Sequence, residues 1–203
     1  MLTKNSIDIL DLFRKNPLLE ISIYQLMKKL RKKSYQRVYE AVKLLEKRSI
    51  LKSKKIGKAS LISLPLTYQA IAQIAFLDEQ EAINRNLPNH EKIISLKEIS
   101  NYLIIVAGSY AKGLAKKSSD LDLVVIIPDN QKAMDAQKLV ENLTFLFYPK
   151  AHLYVFNNRD FVEMLLDKKE NYGKEIFRHH IILKNAYIYY ELLKEAVENG
   201  FKG

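Results

Sequence analysis

Apolar positions recur at helical spacing through the first third of the chain. Ile7, Ile9, Leu10, Leu12 and Phe13 predict a short helix over 6–15, closed by Asn16-Pro17. Ile23, Leu26, Met27 and Leu30 predict a second, with Ser22 as its N-cap. Val38, Ala41, Val42, Leu44 and Leu45 predict a third behind Ser34. The period then changes to two over 50–55 and 59–64, two alternating segments joined through Lys54-Lys55-Ile56-Gly57-Lys58, which reads as a hairpin. Residues 67–86 return to an amphipathic helix, Leu87-Pro88-Asn89 breaks it, and a further helix is expected up to about Ser100.

Beyond residue 100 the pattern differs. Short continuous apolar runs at 102–107 and 121–127 predict strands, the second stopped by Pro128-Asp129-Asn130. A helix over about 132–145, a strand over 151–156 and a helix over 159–166 with Asn158 as cap follow. Residues 176–183 read equally as helix or strand, and 186–198 predict a closing helix ended by Asn199-Gly200. Strands alternating with helices indicate an α/β (α+β) unit.

Charge sharpens the division. Residues 1–65 hold 16 Lys and Arg against 5 Asp and Glu, whereas the remainder holds 17 against 18, so the net charge of +10 resides in the first third. That asymmetry predicts a polyanion-binding module beside a near-neutral domain. The length of 203 residues suffices for one large or two small domains, and 48% apolar with 28% charged residues suits a soluble globular protein. No run approaches the ~20 apolar residues of a membrane span. The absence of cysteine excludes disulfides and thiolate metal sites, and fits a cytoplasmic location.

The chemistry concentrates in 107–125. Gly108-Ser109 follows a strand and is separated by ten residues from Asp120-x-Asp122, which enters the next. Glycine tolerates a tight turn, and the turn's backbone N–H groups with the Ser109 hydroxyl can hold phosphate. Carboxylates two apart on a strand project from one face, and Mg²⁺ (or Mn²⁺) is bound by such oxygens together with substrate phosphates. Lys112 and Ser119 are further candidates for the phosphates, and Lys116 and Lys117 are expected to be solvated.

This stretch, with its flanking strands over roughly 92–195, resembles the active-site signature of nucleotidyltransferases of the DNA polymerase beta superfamily, in particular the minimal nucleotidyltransferases. The resemblance implies a small domain with a mixed sheet that transfers a nucleoside monophosphate, AMP from ATP or another NTP, to an acceptor hydroxyl. Asp120 and Asp122 would be metal-holding and catalytic, and Gly108, Ser109, Lys112 and Ser119 would bind the nucleotide. Families of this type take a third carboxylate from a neighbouring strand. Here 151–156 carries none, so His152 takes that position, with Asp160 just beyond. His152 reads equally as a partly buried, hydrogen-bonding histidine. Related minimal enzymes include some that adenylylate toxins of the HEPN class, which makes a partner protein one acceptor to consider.

Helix, helix, helix, hairpin resembles a winged helix-turn-helix. It implies DNA contacts from Lys33, Ser34, Tyr35, Gln36 and Arg37 at the start of the third helix, and from Lys54, Lys55 and Lys58 in the wing. Gln36 and Arg37 would read base edges, while the wing lysines, with Lys28, Lys29, Arg31 and Lys32, would neutralise phosphates. The expected organisation is therefore a DNA-binding module over 1–65, a helical connector over 66–100 and a nucleotidyltransferase domain over 101–203; winged proteins often pair to read palindromes, which makes a homodimer one assembly to consider. Two competing functions remain open: a non-catalytic regulator whose nucleotidyltransferase fold senses nucleotide, and an antitoxin-like module acting by contact.

Overall fold

A computed structural model describes residues 2–57 and 59–203. Two compact units, Met1–Leu77 and Asp78–Gly203, divide the chain. In the first, α1 (Lys4–Lys15), β1 (Ile21–Ser22), α2 (Ile23–Lys29) and α3 (Tyr35–Lys47) precede the hairpin β2 (Lys52–Ile56) and β3 (Ala59–Ser63). Ser22 caps α2 reciprocally with Gln25, whose Oε1 accepts from the Ser22 N–H at 3.1 Å while Ser22 Oγ accepts from the Gln25 N–H. Ser34 caps α3 in the simpler one-way form. Ile9, Leu10, Phe13, Leu26, Val42 and Leu45 are fully buried, which brings the apolar stripes of the three helices into one core.

The two-residue β1 is too short to leave a periodic signal, and it pairs antiparallel with β3 to give the sheet order β1-β3-β2. The helix α4 (Tyr68–Asn84) carries the division between the units, and α5 (His90–Ser95) follows it. The helix expected to reach Ser100 stops at Ser95. Leu96 is extended, and Lys184 Nζ donates to the Ile94 and Leu96 carbonyls at 3.1 and 3.0 Å. A cation brought from ninety residues away satisfies the helix end, which no local pattern encodes.

The second unit is built on β4 (Leu103–Val106), β5 (Leu121–Ile127), β6 (Ala151–Asn157) and β7 (Ile181–Lys184), in the order β6-β5-β4-β7. Only β5 and β6 are parallel; β4 runs antiparallel to β5 and β7, so the sheet is mixed, as expected. Between these strands lie α6 (Gly108–Ala111), α7 (Ala133–Thr144), α8 (Asn158–Leu166) and α9 (Tyr172–Arg178), and α10 (Ala186–Glu198) closes the chain.

Alternation along β5 sends Leu121, Leu123, Val125 and Ile127 into a core shared with Ala136 and Val140 of α7. Val124 and Ile126, also buried, project from the opposite face, against which α8 packs. With both faces covered, β5 becomes a near-continuous apolar run, and Asp122 is its single polar interruption.

Two local expectations need correction. Asn157, not Asn158, caps α8: its N–H donates to Asp160 Oδ2 at 3.0 Å, and its side-chain amide donates to the Pro128 and Gln131 carbonyls. The ambiguous run 176–183 splits into the end of α9 and β7 at an extended His179, because its apolar residues pair with β4. Among the described residues no helix is long and apolar enough to cross a membrane.

Candidate functional site

The end of β4 meets the start of β5 where the Ala107 N–H donates to the Asp122 carbonyl at 3.0 Å. Gly108 follows with φ +60°, turning the chain back beneath the Asp122 side chain. A Cβ placed on Gly108 would stand 1.9 Å from Asp122 Oδ2 and 2.9 Å from its Cγ. No other residue fits there without moving the carboxylate. The sequence called for glycine on conformational grounds; the fold adds a steric one. Ser109 is half-buried in the four-residue α6, a helix too short for a developed macrodipole, so individual N–H groups and the hydroxyl are what this turn offers an anion.

Asp122 stands in register with His152 on the parallel neighbour β6, its Oδ1 3.4 Å from His152 Nδ1. The carboxylate is 25% exposed and the imidazole 59%. Tyr154, two residues along the same face, brings its hydroxyl to 3.4 Å from the same Nδ1. Asp120 does not lie within β5 as expected; it is exposed immediately before the strand. No lysine or arginine ion pair joins either aspartate among the described residues. Two oxygen-donor groups, not engaged by a fixed cation, suit a hard divalent ion. Among the described residues no cluster of three His, Cys, Asp or Glu could hold a metal alone, so such an ion would take further ligands from substrate oxygens or water.

Asp160 is not a third ligand, because its carboxylate is used at the start of α8. Ser119 Oγ accepts from the Lys116 N–H at 2.9 Å, closing the turn ahead of Asp120. Lys112 reaches Glu175 of α9, with Nζ 2.6 Å from Oε1. His179 is exposed at the end of α9, while His180 Nδ1 lies 2.7 Å from the Ile176 carbonyl and its ring lies against Tyr189; the two do not converge.

Two residues of this site escaped the sequence reading. Tyr172 packs at a tilt against Tyr154 at 4.7 Å between centroids, extending the tilted His152–Tyr154 contact, also 4.7 Å, into an aromatic series. Burial raises the Tyr172 pKa, and the nearby Tyr154, Asp122 and Glu175 raise it further, so the phenol remains a proton donor at neutral pH. Glu175, one turn later, is the partner of Lys112. Asn171, whose side chain accepts from the Lys174 N–H, was a readable cap for α9. Its placement was not readable. It depends on Gly173, where a Cβ would come within 2.5 Å of Met164 Cβ on α8.

In the first unit Lys33, Tyr35, Gln36 and Arg37 are exposed around the start of α3, while Ser34 caps that helix through the Arg37 N–H. Gln36 donates to Glu40 Oε1 at 2.9 Å and Tyr35 stacks on Tyr39, so both begin with intrahelical partners. Lys54 and Lys55 are exposed on β2, and Lys58 lies outside the described residues. Lys32 is paired with Asp8, and Lys28 stands over the Tyr24 ring at 4.6 Å.

A family model described as a nucleotidyltransferase domain matches residues 87–200, a span that contains the Gly108 turn, both aspartates, β6 and α9. No curated protein and no solved structure matches the chain.

Proposed function

The chain belongs to the nucleotidyltransferase domain family, and from that premise we propose that it transfers AMP from ATP to an acceptor hydroxyl with Mg²⁺ or Mn²⁺. The observation that carries this reading is the Gly108 backbone folded against Asp122, which brings a phosphate-accepting turn and a carboxylate within van der Waals contact. Gly108 and Ser109 offer N–H and hydroxyl donors to the β- and γ-phosphates. Lys112 adds a cation once it leaves Glu175. Asp120 and Asp122 would hold the divalent ion, which supplies charge stabilisation at the α-phosphate and the departing pyrophosphate. His152 lies beside Asp122 and is accessible enough to take the acceptor's proton. Tyr172 offers a hydroxyl donor from the α9 side.

Incubating the protein with α-labelled ATP, Mg²⁺ or Mn²⁺ and cell extract should yield a labelled acceptor and pyrophosphate. Retained Mg-ATP binding with no transfer would instead support the nucleotide sensor. That second reading is favoured by one observation, the histidine standing where a third carboxylate would complete the metal set. An antitoxin-like module acting by contact predicts neither ATP binding nor transfer.

The Lys112–Glu175 pair gives a further expectation. Lys112→Ala should weaken ATP binding about tenfold, the scale of one charge-assisted contact. Glu175→Gln should tighten it several-fold by freeing the lysine. Equal affinities for both variants and the native protein, measured by calorimetry, would remove Lys112 from the phosphate site.

For the first unit we propose a winged helix-turn-helix that binds DNA. Support comes from three helices preceding an antiparallel hairpin, from Ser34 starting α3 so that Arg37 and Gln36 are exposed in its first turn, and from the excess of basic residues. DNA affinity should fall steeply with salt, and Arg37→Ala should relax sequence preference more than Lys55→Ala does. A salt-insensitive or absent mobility shift would count against it. A partner protein as acceptor, homodimerisation and a cytoplasmic location remain parts of this proposal.

A further inference from the structure

The strand β6 reads Ala-His-Leu-Tyr-Val-Phe-Asn, seven residues with no lysine, arginine, acid or proline. It is an edge of the sheet, half-exposed along most of its length, and its register with β5 runs unbroken from Ala151 to Asn157. Edge strands present a row of unpaired N–H and C=O groups, which monomeric proteins blunt with short strands, charge, proline or bulges. The opposite edge is treated in that way: β7 has four residues, ends on Lys184, pairs with β4 through a register shift and packs against α5. β6 has none of these protections. The Lys150 carbonyl accepts from the Leu121 N–H at 2.9 Å, so alternation turns the backbone groups of His152, Tyr154 and Phe156 toward β5. Those of Ala151, Leu153 and Val155 point outward, and among the described residues no hydrogen bond takes them up.

We infer that this edge pairs antiparallel with the same edge of a second copy of the chain, about a two-fold axis at Leu153. Pairing sets outward groups opposite outward groups, which restricts the register to every second residue. With Leu153 opposite Leu153 of the second copy, Ala151 meets Val155, and every outward group of the three residues is bonded. A shift that centres Tyr154 puts Ala151 opposite Asn157, whose N–H is already given to Asp160 at 3.0 Å. The shift the other way, centring His152, puts Val155 opposite Pro149, which has no N–H. The strand is complementary to itself in one register. The same pairing uses side chains that the single chain leaves in water. His152, 59% exposed, comes opposite Tyr154 of the second copy at about 4.5 Å between Cα atoms, so the tilted His152–Tyr154 contact of one chain meets that of the other. Phe145 and Tyr148, 82% and 85% exposed, line a cleft with Ala151 and Leu153 and add apolar area beside the seam. The second copy thereby brings a tyrosine against His152, at the margin of the candidate site.

The test uses the full chain without DNA. Because the protein has no cysteine, Leu153→Cys introduces a single thiol per chain. The register sets the two copies of position 153 about 5.5 Å apart between Cα atoms, within disulfide reach. Mild oxidation should give a covalent dimer from Leu153→Cys, and from a mixture of the Ala151→Cys and Val155→Cys chains, but from neither of those two alone. Leu153→Pro removes the central outward N–H and leaves the ladder to β5 intact, so its dissociation constant by sedimentation should rise about tenfold or more. Hydrogen exchange in the native chain keeps the inference testable if proline unfolds the strand. The amides of Ala151, Leu153 and Val155 should slow as protein concentration rises, whereas those of His152, Tyr154 and Phe156 stay slow throughout. A native chain that is monomeric at every concentration would overturn the inference. So would a dimer that Leu153→Cys does not cross-link or Leu153→Pro does not weaken, which places association on another surface, the first unit included. Protection of the outward amides only on adding cell extract also overturns it and makes the edge a seat for another protein's strand. None of these measurements involves nucleotide, so the pairing stands or falls apart from nucleotidyl transfer.

Discussion

Asp122→Asn should abolish nucleotidyl transfer, lowering the rate by ~10³-fold or more, the equivalent of several kcal/mol of lost transition-state charge stabilisation. The substitution removes a negative charge from a side chain that is 25% exposed and pressed against the Gly108 backbone. Asparagine is nearly isosteric, so this close fit is preserved and the melting temperature should hardly change. Mg²⁺-dependent ATP binding should fall with the rate, since the carboxylate's expected partner is the cation accompanying the phosphates. Asp120→Asn should also inactivate, with even less effect on stability because Asp120 is exposed ahead of β5. Labelled-AMP transfer and calorimetric titration, read beside circular dichroism melts, decide the matter. Native-level transfer by the Asp122 variant would end the proposed mechanism.

Gly108→Ala should be nearly as damaging, for a different reason. Its methyl group would occupy a point 1.9 Å from Asp122 Oδ2, and alanine at φ +60° costs about 1–2 kcal/mol. The carboxylate must swing away or the turn must open. Displacements on the ångström scale in a reacting assembly can cost ~10²-fold in rate. Gly113→Ala supplies the control. Gly113 also has positive φ, +70°, but open space where its Cβ would go. Both variants should lose stability through backbone strain, and only the Gly108 variant should lose transfer by ~10²-fold or more. Similar transfer rates in the two would show that contact with Asp122 is not what makes Gly108 indispensable.

Periodicity alone placed most elements of this protein. Residues 121–127 read as one strand and 186–198 as the closing helix, and both stand with those bounds, because a short apolar run between polar turns and a long amphipathic stretch each permit few alternatives. The mixed α/β class followed from their alternation. Where tertiary partners decide an element, the local pattern was silent. Lys184 ends α5 from across the sheet, Asn157 takes the cap position through the Pro128 and Gln131 carbonyls, and 176–183 divides between α9 and β7.

The candidate site divides in the same way. The chain itself specifies a glycine turn, two acids two residues apart and no acid on β6, since composition and spacing are properties of the sequence. Only the folded chain puts Gly108 under Asp122, His152 beside it in register, and, from a helix fifty residues away, Tyr172 against Tyr154 and Glu175 on Lys112. The physical reason is that spacing along a strand sets which face a side chain takes, whereas strand register and the docking of α9 through Gly173 set what that side chain meets.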